Sequence, residues 1–299
     1  EAREAQLEAG EAHEWTLRFE PREFLHVDLE QLANGDSDEW PGVTVIASDD
    51  RVVFESAEPS LAPGIDSRAY SVVSLIGERP GTHRLRVAAR ASPIRYRLRV
   101  RDRRPASEED PGRIEAHGLW RSAMRQFRQG APASLRASTE IFDKAAAIMS
   151  RIEDAEGEAL TLGSLANAWY RLSDAARGRE AATRALEIWT RLGREREAGV
   201  ALSDLGLLAY LAYDRPAARR HYEDALVKHR ASGDELNEAR TLTRLGWVQY
   251  AAAELQEVLD TNQAALALYR KAGDRPGESI AFNDLGRAYL DLGEVPQAL

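Results

Sequence analysis

The chain contains no cysteine. That single absence removes disulfides, thiolate zinc sites and a cysteine nucleophile. No apolar run approaches the roughly 18 residues that a membrane span requires, so no spanning helix is expected. Lysine is almost missing as well: only Lys144, Lys228 and Lys271 occur, and arginine carries the remaining positive charge. The 40 basic residues are outweighed by 49 acidic ones, giving a net charge of −9. This balance argues against a general nucleic-acid or anionic-membrane binder. There is no Gly-rich phosphate loop and no Gly-x-Ser-x-Gly elbow, so no cofactor is expected and nothing marks the chain as a catalyst.

What is present divides into two halves, as a length of 299 residues allows. Up to about residue 103, short runs alternate apolar and polar side chains between turn formers. Leu25, Val27 and Leu29 face one way, with His26 and Asp28 opposite. Val43, Val45 and Ala47 lead into Asp49-Asp50, and Val52 and Phe54 follow. Further runs are Tyr70 to Ile76, Leu85 to Ala89 and Tyr96 to Val100. Period-two alternation at this spacing predicts six to eight antiparallel strands, hence a β-sandwich or jelly roll over residues 1–104. The Pro- and Gly-containing stretch 105–113 reads as a linker or helix start.

From about residue 114 the pattern repeats every 40 residues. Gly193, Gly233 and Gly273 are equally spaced, as are Gly206, Gly246 and Gly286. The second set follows leucine in each unit: Leu205-Gly206, Leu245-Gly246 and Leu285-Gly286, with Leu165-Ala166 before them. Ala185-Leu186, Ala225-Leu226 and Ala265-Leu266 come about 20 residues later. Self-similarity at such a period is the mark of a solenoid. Small residues at 166, 206, 246 and 286 let the two helices of a pair approach, and apolar residues at 162, 202, 242 and 282 form the seam. Gly193, Gly233 and Gly273 are placed to end the second helix in a left-handed conformation.

Leu285-Gly286-Arg287-Ala288-Tyr289, followed by Gly293 and Ala298, resembles the tetratricopeptide signature. The 40-residue period is similar to the long variant of that repeat. The resemblance implies an all-α solenoid over 114–299, with a degenerate capping pair at 114–152. Units at 153–192, 193–232 and 233–272 follow, and the chain stops inside another at 273–299. Ala209 and Gln249 stand where the signature has tyrosine, and Val258 where it has alanine. The first half carries a looser resemblance, through Gly10 to Leu17, Phe24 to Leu29, Gly81 to Val87 and Tyr96 to Val100. It is similar to a β-sandwich that precedes tetratricopeptide arrays and a caspase-like CHAT peptidase domain in bacterial proteins. That resemblance implies export. It also implies a peptidase beyond Leu299, with the present segment as its regulatory arm. Because the chain begins at Glu1 and stops within a repeat, a processed or truncated piece is expected. Leu285, Tyr289, Leu292 and Leu299 should then be partly exposed and favour self-association.

Several groups of residues are candidates for chemistry. Asn34, Asp36, Asp38 and Glu39 have the alternate spacing of a calcium loop, though the glycine is misplaced. Gly35-Asp36-Ser37 resembles the start of an esterase block but lacks the fold that such a serine needs. His221 and His229, eight apart on one helix, could share a face toward zinc. Arg95, Arg97, Arg99 and Arg101 alternate along one strand, and Arg84 and Arg86 along another. Side by side, those strands would form a basic patch for an anionic or glycan ligand; the alternative is a solvated face balanced by Glu14, Asp28 and Glu30. The tetratricopeptide resemblance places the first helix of each pair on a concave surface. It implies a partner-binding groove of Asn167, Tyr170, Arg171, Ser203, Leu207, Tyr210, Arg240, Thr243, Trp247, Tyr250, Asn283 and Arg287. Aromatic and arginine side chains dominate binding hot spots. The expected ligand is a protein or peptide, with acidic residues favoured by Arg240 and Arg287.

Overall fold

A computed structural model describes residues 2–8, 10–20, 22–32, 42–47, 49–56, 70–76, 81–89 and 94–298. The calcium-loop and esterase-like residues, Asn34 to Glu39, lie outside the described residues.

Among the described residues, the alternating half forms eight strands: β1 (Ala2–Leu7), β2 (Ala12–Phe19), β3 (Glu23–Leu32), β4 (Gly42–Ile46), β5 (Val52–Ser56), β6 (Tyr70–Ile76), β7 (Gly81–Ala88) and β8 (Ile94–Pro105). They make two four-stranded antiparallel sheets, ordered β1-β8-β3-β6 and β2-β7-β4-β5. Eight strands in two interlocked sheets constitute a jelly roll. Alternation determines what lies between them. Leu25, Val27, Leu29, Val73, Tyr96 and Leu98 from one sheet meet Val43, Val45, Leu85 and Val87 from the other in one buried cluster.

The opposite face of the β3 sheet is covered too. A register shift between His26 and Val27 lets Phe24 and Leu25 both be buried. Phe24 lies beneath two guanidinium groups, Arg104 at 4.9 Å and Arg113 at 5.7 Å. Arg113 belongs to α1 (Asp110–Gln129), which is followed by α2 (Pro132–Arg151). Ser74 Oγ on β6 bonds both His26 Nδ1, at 3.0 Å, and His117 Nδ1 of α1, at 2.8 Å. The helix begins at Asp110, inside the stretch read as linker or helix start, and β8 runs to Pro105 at the beginning of that stretch. Chain contacts group α1 and Lys144–Asp154 with the sheets and the repeats with one another.

Asp110 explains that anchorage. Its buried carboxylate accepts from both Arg104 nitrogens at 2.7 and 2.8 Å, from Arg113 at 3.0 Å and from the Ser107 amide at 2.7 Å. Burial pushes its pKa up, but the hydrogen bonds and charge of Arg104 outweigh this and hold it below the usual aspartate value. A depressed folded pKa contributes stability that is present above the unfolded value and lost as pH falls through the folded one. Asp110→Asn should therefore cost about 2 kcal/mol at neutral pH, as expected for losing charge-assisted bonds. The gap to the parent should shrink below about pH 4. Urea denaturation at pH 7 and pH 3 reads both; an equal cost at the two values contradicts the account.

Beyond residue 154 the helices pair: α3 (Ala155–Arg171) with α4 (Ala175–Arg191), and α5 (Glu195–Leu211) with α6 (Arg215–Ser232). α7 (Glu235–Ala251) pairs with α8 (Leu255–Ala272), and α9 (Arg275–Asp291) with the short α10 (Val295–Ala298). Asp174, Asp214, Asp234 and Asp274 cap α4, α6, α7 and α9, each side chain accepting an amide three residues on. A left-handed residue recurs at a 20-residue spacing between these helices. Gly193, Gly233 and Gly273 have φ of 66°, 66° and 70°, as the sequence implied. Glu153 and Ser173 before them, and Tyr213 and Ala253 between them, adopt φ of 56–61° without glycine's freedom.

The first helices α3, α5, α7 and α9 touch in succession, α3 with α5, α5 with α7 and α7 with α9, more closely than the second helices approach one another. They form the inner layer of this solenoid of antiparallel helix pairs. At the last pair, Leu285 departs from its expected exposure: it is buried in the cluster with Leu266 and Tyr269. Tyr289 is half-buried, Leu292 is 41% exposed and Leu299 lies outside the described residues. Ile280, Phe282, Leu290 and Val295 are further apolar side chains exposed there.

Candidate functional site

The inner helices place four expected residues around one open cavity of about 300 Å³. Tyr210, Trp247, Tyr250 and Arg287 line it, with Gly246, Val258, Asn262 and Asp284. The rings of Tyr210 and Trp247 lie 6.4 Å apart at 50°. Arg287 stacks its guanidinium 4.2 Å from the centre of the Tyr250 ring, and the Tyr250 hydroxyl donates to Asp291. Trp247 Nε1 donates to Asp284 at 3.1 Å. Burial pushes the Asp284 pKa up, and this hydrogen bond pulls against it. Asn262 fills the space left by Gly246, where a Cβ would sit 2.6 Å from its amide nitrogen. That nitrogen donates to the Val258 carbonyl, while the amide oxygen has no partner among the described residues.

A second cavity, of about 170 Å³, lies between α5, α6 and α7. Ser203 and Arg240 line it, together with Val200, His229, Asn237, Thr241 and Arg244. Arg244 Nη1 donates to Ser203 Oγ at 2.8 Å, and Ser203 Oγ is 3.2 Å from the Thr241 hydroxyl. Arg240 reaches Asp274 at 3.5 Å. His229 is fully buried above Gly199, whose missing Cβ would lie 2.8 Å from its ring. Burial pushes the imidazole pKa down.

The other expected groove residues fall outside both cavities. Leu207 and Thr243 are buried, Thr243 bonding the Ala239 carbonyl and lying 3.3 Å from the Tyr269 hydroxyl. Asn167 and Tyr170 are half-buried, Arg171 is exposed and Asn283 lies outside both sites on α9. The tyrosine column thus contributes Tyr210 and Tyr250 to a common site but not Tyr170. The sequence pattern did not point to Arg244, Asn262 or Asp284, and it raised His229 only as a zinc candidate with His221. One signal was available: 204, 244 and 284 read Asp, Arg, Asp at the repeat spacing.

Two further candidates gain no support. The arginine strands are not neighbours, because β8 pairs with β1 and β3 whereas β7 pairs with β2 and β4 in the other sheet. Asp28 and Glu30 stand opposite Arg99 and Arg97 in register, and Glu14 opposite Arg86. Acidic positions therefore face the basic ones, as the solvated-face alternative has it. His221 and His229 do not meet a third ligand: no cluster able to hold a metal occurs among the described residues.

No family model and no curated protein sequence matches the chain. Solved structures match its fold. An aspartyl phosphate phosphatase F from Bacillus subtilis aligns with a TM-score of 0.58 and 16% identity, over 64% of this chain and 49% of that one. A Rap protein complexed with competence and sporulation factor gives 0.54 and 19%, over 62% and 52%. A signal-transduction ATPase with a tetratricopeptide repeat sensor, from Pyrococcus horikoshii, gives 0.55 and 15%, over 65% and 30%. The chain spans about half the length of the first two and less of the third. At these identities the likeness is one of fold: the helical part is a tetratricopeptide-like solenoid. The resemblance to CHAT-associated proteins finds no counterpart among these matches.

Proposed function

We propose that the chain is a protein-interaction module whose inner helices hold a peptide or an extended protein segment. The observation that carries this reading is the cavity walled by Tyr210, Trp247 and Tyr250 from consecutive repeats. Three half-buried rings offer a large apolar contact at small conformational cost, and an arginine-lined cavity beside them suits acidic groups. A protein of the same helical fold has been solved complexed with competence and sporulation factor, which supports the same use of the scaffold. The charge of the site favours an acidic ligand, with binding that weakens as salt rises.

The test is capture of partners from the source cell. Each aromatic anchor typically carries about 2 kcal/mol, roughly thirtyfold in affinity. A Tyr210→Ala, Trp247→Ala, Tyr250→Ala triple variant with full helical content should lose its partner. An Arg97→Ser, Arg99→Ser variant should keep it. The reverse pattern would move the binding function to the sheets and end the groove reading.

A further inference from the structure

We propose that the cavity between α5, α6 and α7 is an anion subsite that receives a phosphoryl group carried on the bound peptide. Arg244 is half-buried, yet it makes no ion pair among the described residues and donates to a neutral hydroxyl, Ser203 Oγ. A guanidinium withdrawn from water and left without a carboxylate is costly unless a ligand supplies the anion. Beside it, His229 lines the same cavity with both ring nitrogens unpartnered among the described residues and no surface exposed. Arg240 spends one nitrogen on a long 3.5 Å contact to Asp274 and keeps its other donors.

The neighbouring carboxylates do not fill this role, because each is engaged elsewhere. Asp234 accepts from Arg196 at 2.7 Å and Asn237 at 2.9 Å. Asp274 caps α9 through the Gly277 amide at 3.0 Å, and Glu238 pairs with Arg230 at 2.6 Å. Asp204 makes no ion pair with Arg244 among the described residues, its Oδ1 has no partner there, and burial pushes its pKa up to about 7. The free N–H donors of two guanidinium groups, one imidazole and the one proton left over from the Ser203–Thr241 hydroxyl pair exceed the roughly four lone-pair sites of a carboxylate. The three oxygens of a phosphoryl group match them better. A volume of about 170 Å³ admits such a group with part of its water shell.

The inference rests on the groove reading for the path of the peptide, but the subsite can be probed alone. Inorganic phosphate titrated into the chain should broaden and shift its ³¹P resonance. Arg244→Gln should weaken that binding at least about tenfold, as loss of a charge-assisted contact does. Arg240→Gln provides a second variant should the first fail to fold, and exposed Arg179→Gln should leave the titration unchanged. Equal binding by the parent and both cavity variants would overturn the proposal. Displacement of phosphate by an equal concentration of acetate would overturn the phosphoryl assignment in favour of a carboxylate. Absent phosphate binding, with the aromatic triple variant still losing its partner, sinks the subsite and leaves the groove standing.

Discussion

Replacing Gly206 with leucine is expected to lower stability by about 3 kcal/mol, the upper range for overpacking a closed core. A Cβ at this position would lie 2.5 Å and 2.6 Å from the Tyr222 ring. Tyr222 is fully buried on α6 and cannot swing aside, so α5 and α6 must separate. The equivalent glycine two repeats on gives a contrast within one molecule. At Gly286 an added Cβ meets nothing closer than the Ala298 carbonyl oxygen at 3.4 Å. There the intrinsic preference of helices for alanine should prevail, and Gly286→Ala should gain a few tenths to about 1 kcal/mol. Gly246 falls between, since its obstacle is the end of the Asn262 amide. Urea denaturation of the three variants ranks them; a Gly206→Leu protein as stable as its parent would mean that the α5–α6 pairing is wrongly registered.

Those glycines were legible because small residues recur at fixed distances in the chain. So were the two sheets, whose buried positions Leu25, Val27, Leu29, Val43 and Val45 follow from alternation alone. Alternation tells which face a residue occupies but not which strand lies beside it. That is why the arginines of β7 and β8, close in sequence, could be drawn as one patch although they sit in different sheets. The attachment of α1 escaped the sequence for the same reason. Its partners, Arg104, His26 and Ser74, come from three strands, and no local pattern announces them.

The half-period of the solenoid was hidden differently. Every twentieth residue turns left-handed, but glycine marks only some of these positions, and Tyr213 and Ala253 adopt the conformation because the next helix must start there. At the site, Tyr210, Trp247, Tyr250 and Arg287 were found because they share a column on the inner helices. Asn262 was not, and His229 stood out only as a zinc candidate, since both enter from second helices, where the repeat pattern is dominated by packing residues. Polar atoms buried without partners, at His229, Asn262 and Asp204, become visible only once the helices are assembled.

Asp204→Asn should stabilise the protein at pH 8 by about 2–4 kcal/mol relative to its effect at pH 4. Asp204 is buried on α5 and one carboxylate oxygen has no partner among the described residues. Burial raises its pKa from 3.8 to about 7, against a smaller downward pull from the Arg244 charge. A folded pKa above the unfolded one means that the folded state holds a proton the unfolded chain has released. The stability this represents is whole below about pH 4 and is lost as pH climbs through 7. A tenfold change in proton affinity corresponds to about 1.4 kcal/mol, so a rise from 3.8 to about 7 sets the upper limit of the expected gain. Asparagine keeps the shape and cannot ionise, so its profile should lack this decline. Comparing the two proteins at each pH cancels the contribution of other raised groups such as Asp284. Parallel profiles between pH 4 and 8 would show that Asp204 ionises in the folded protein as it does in the unfolded chain. It would then be the natural partner of Arg244 and would draw that guanidinium out of the cavity it lines.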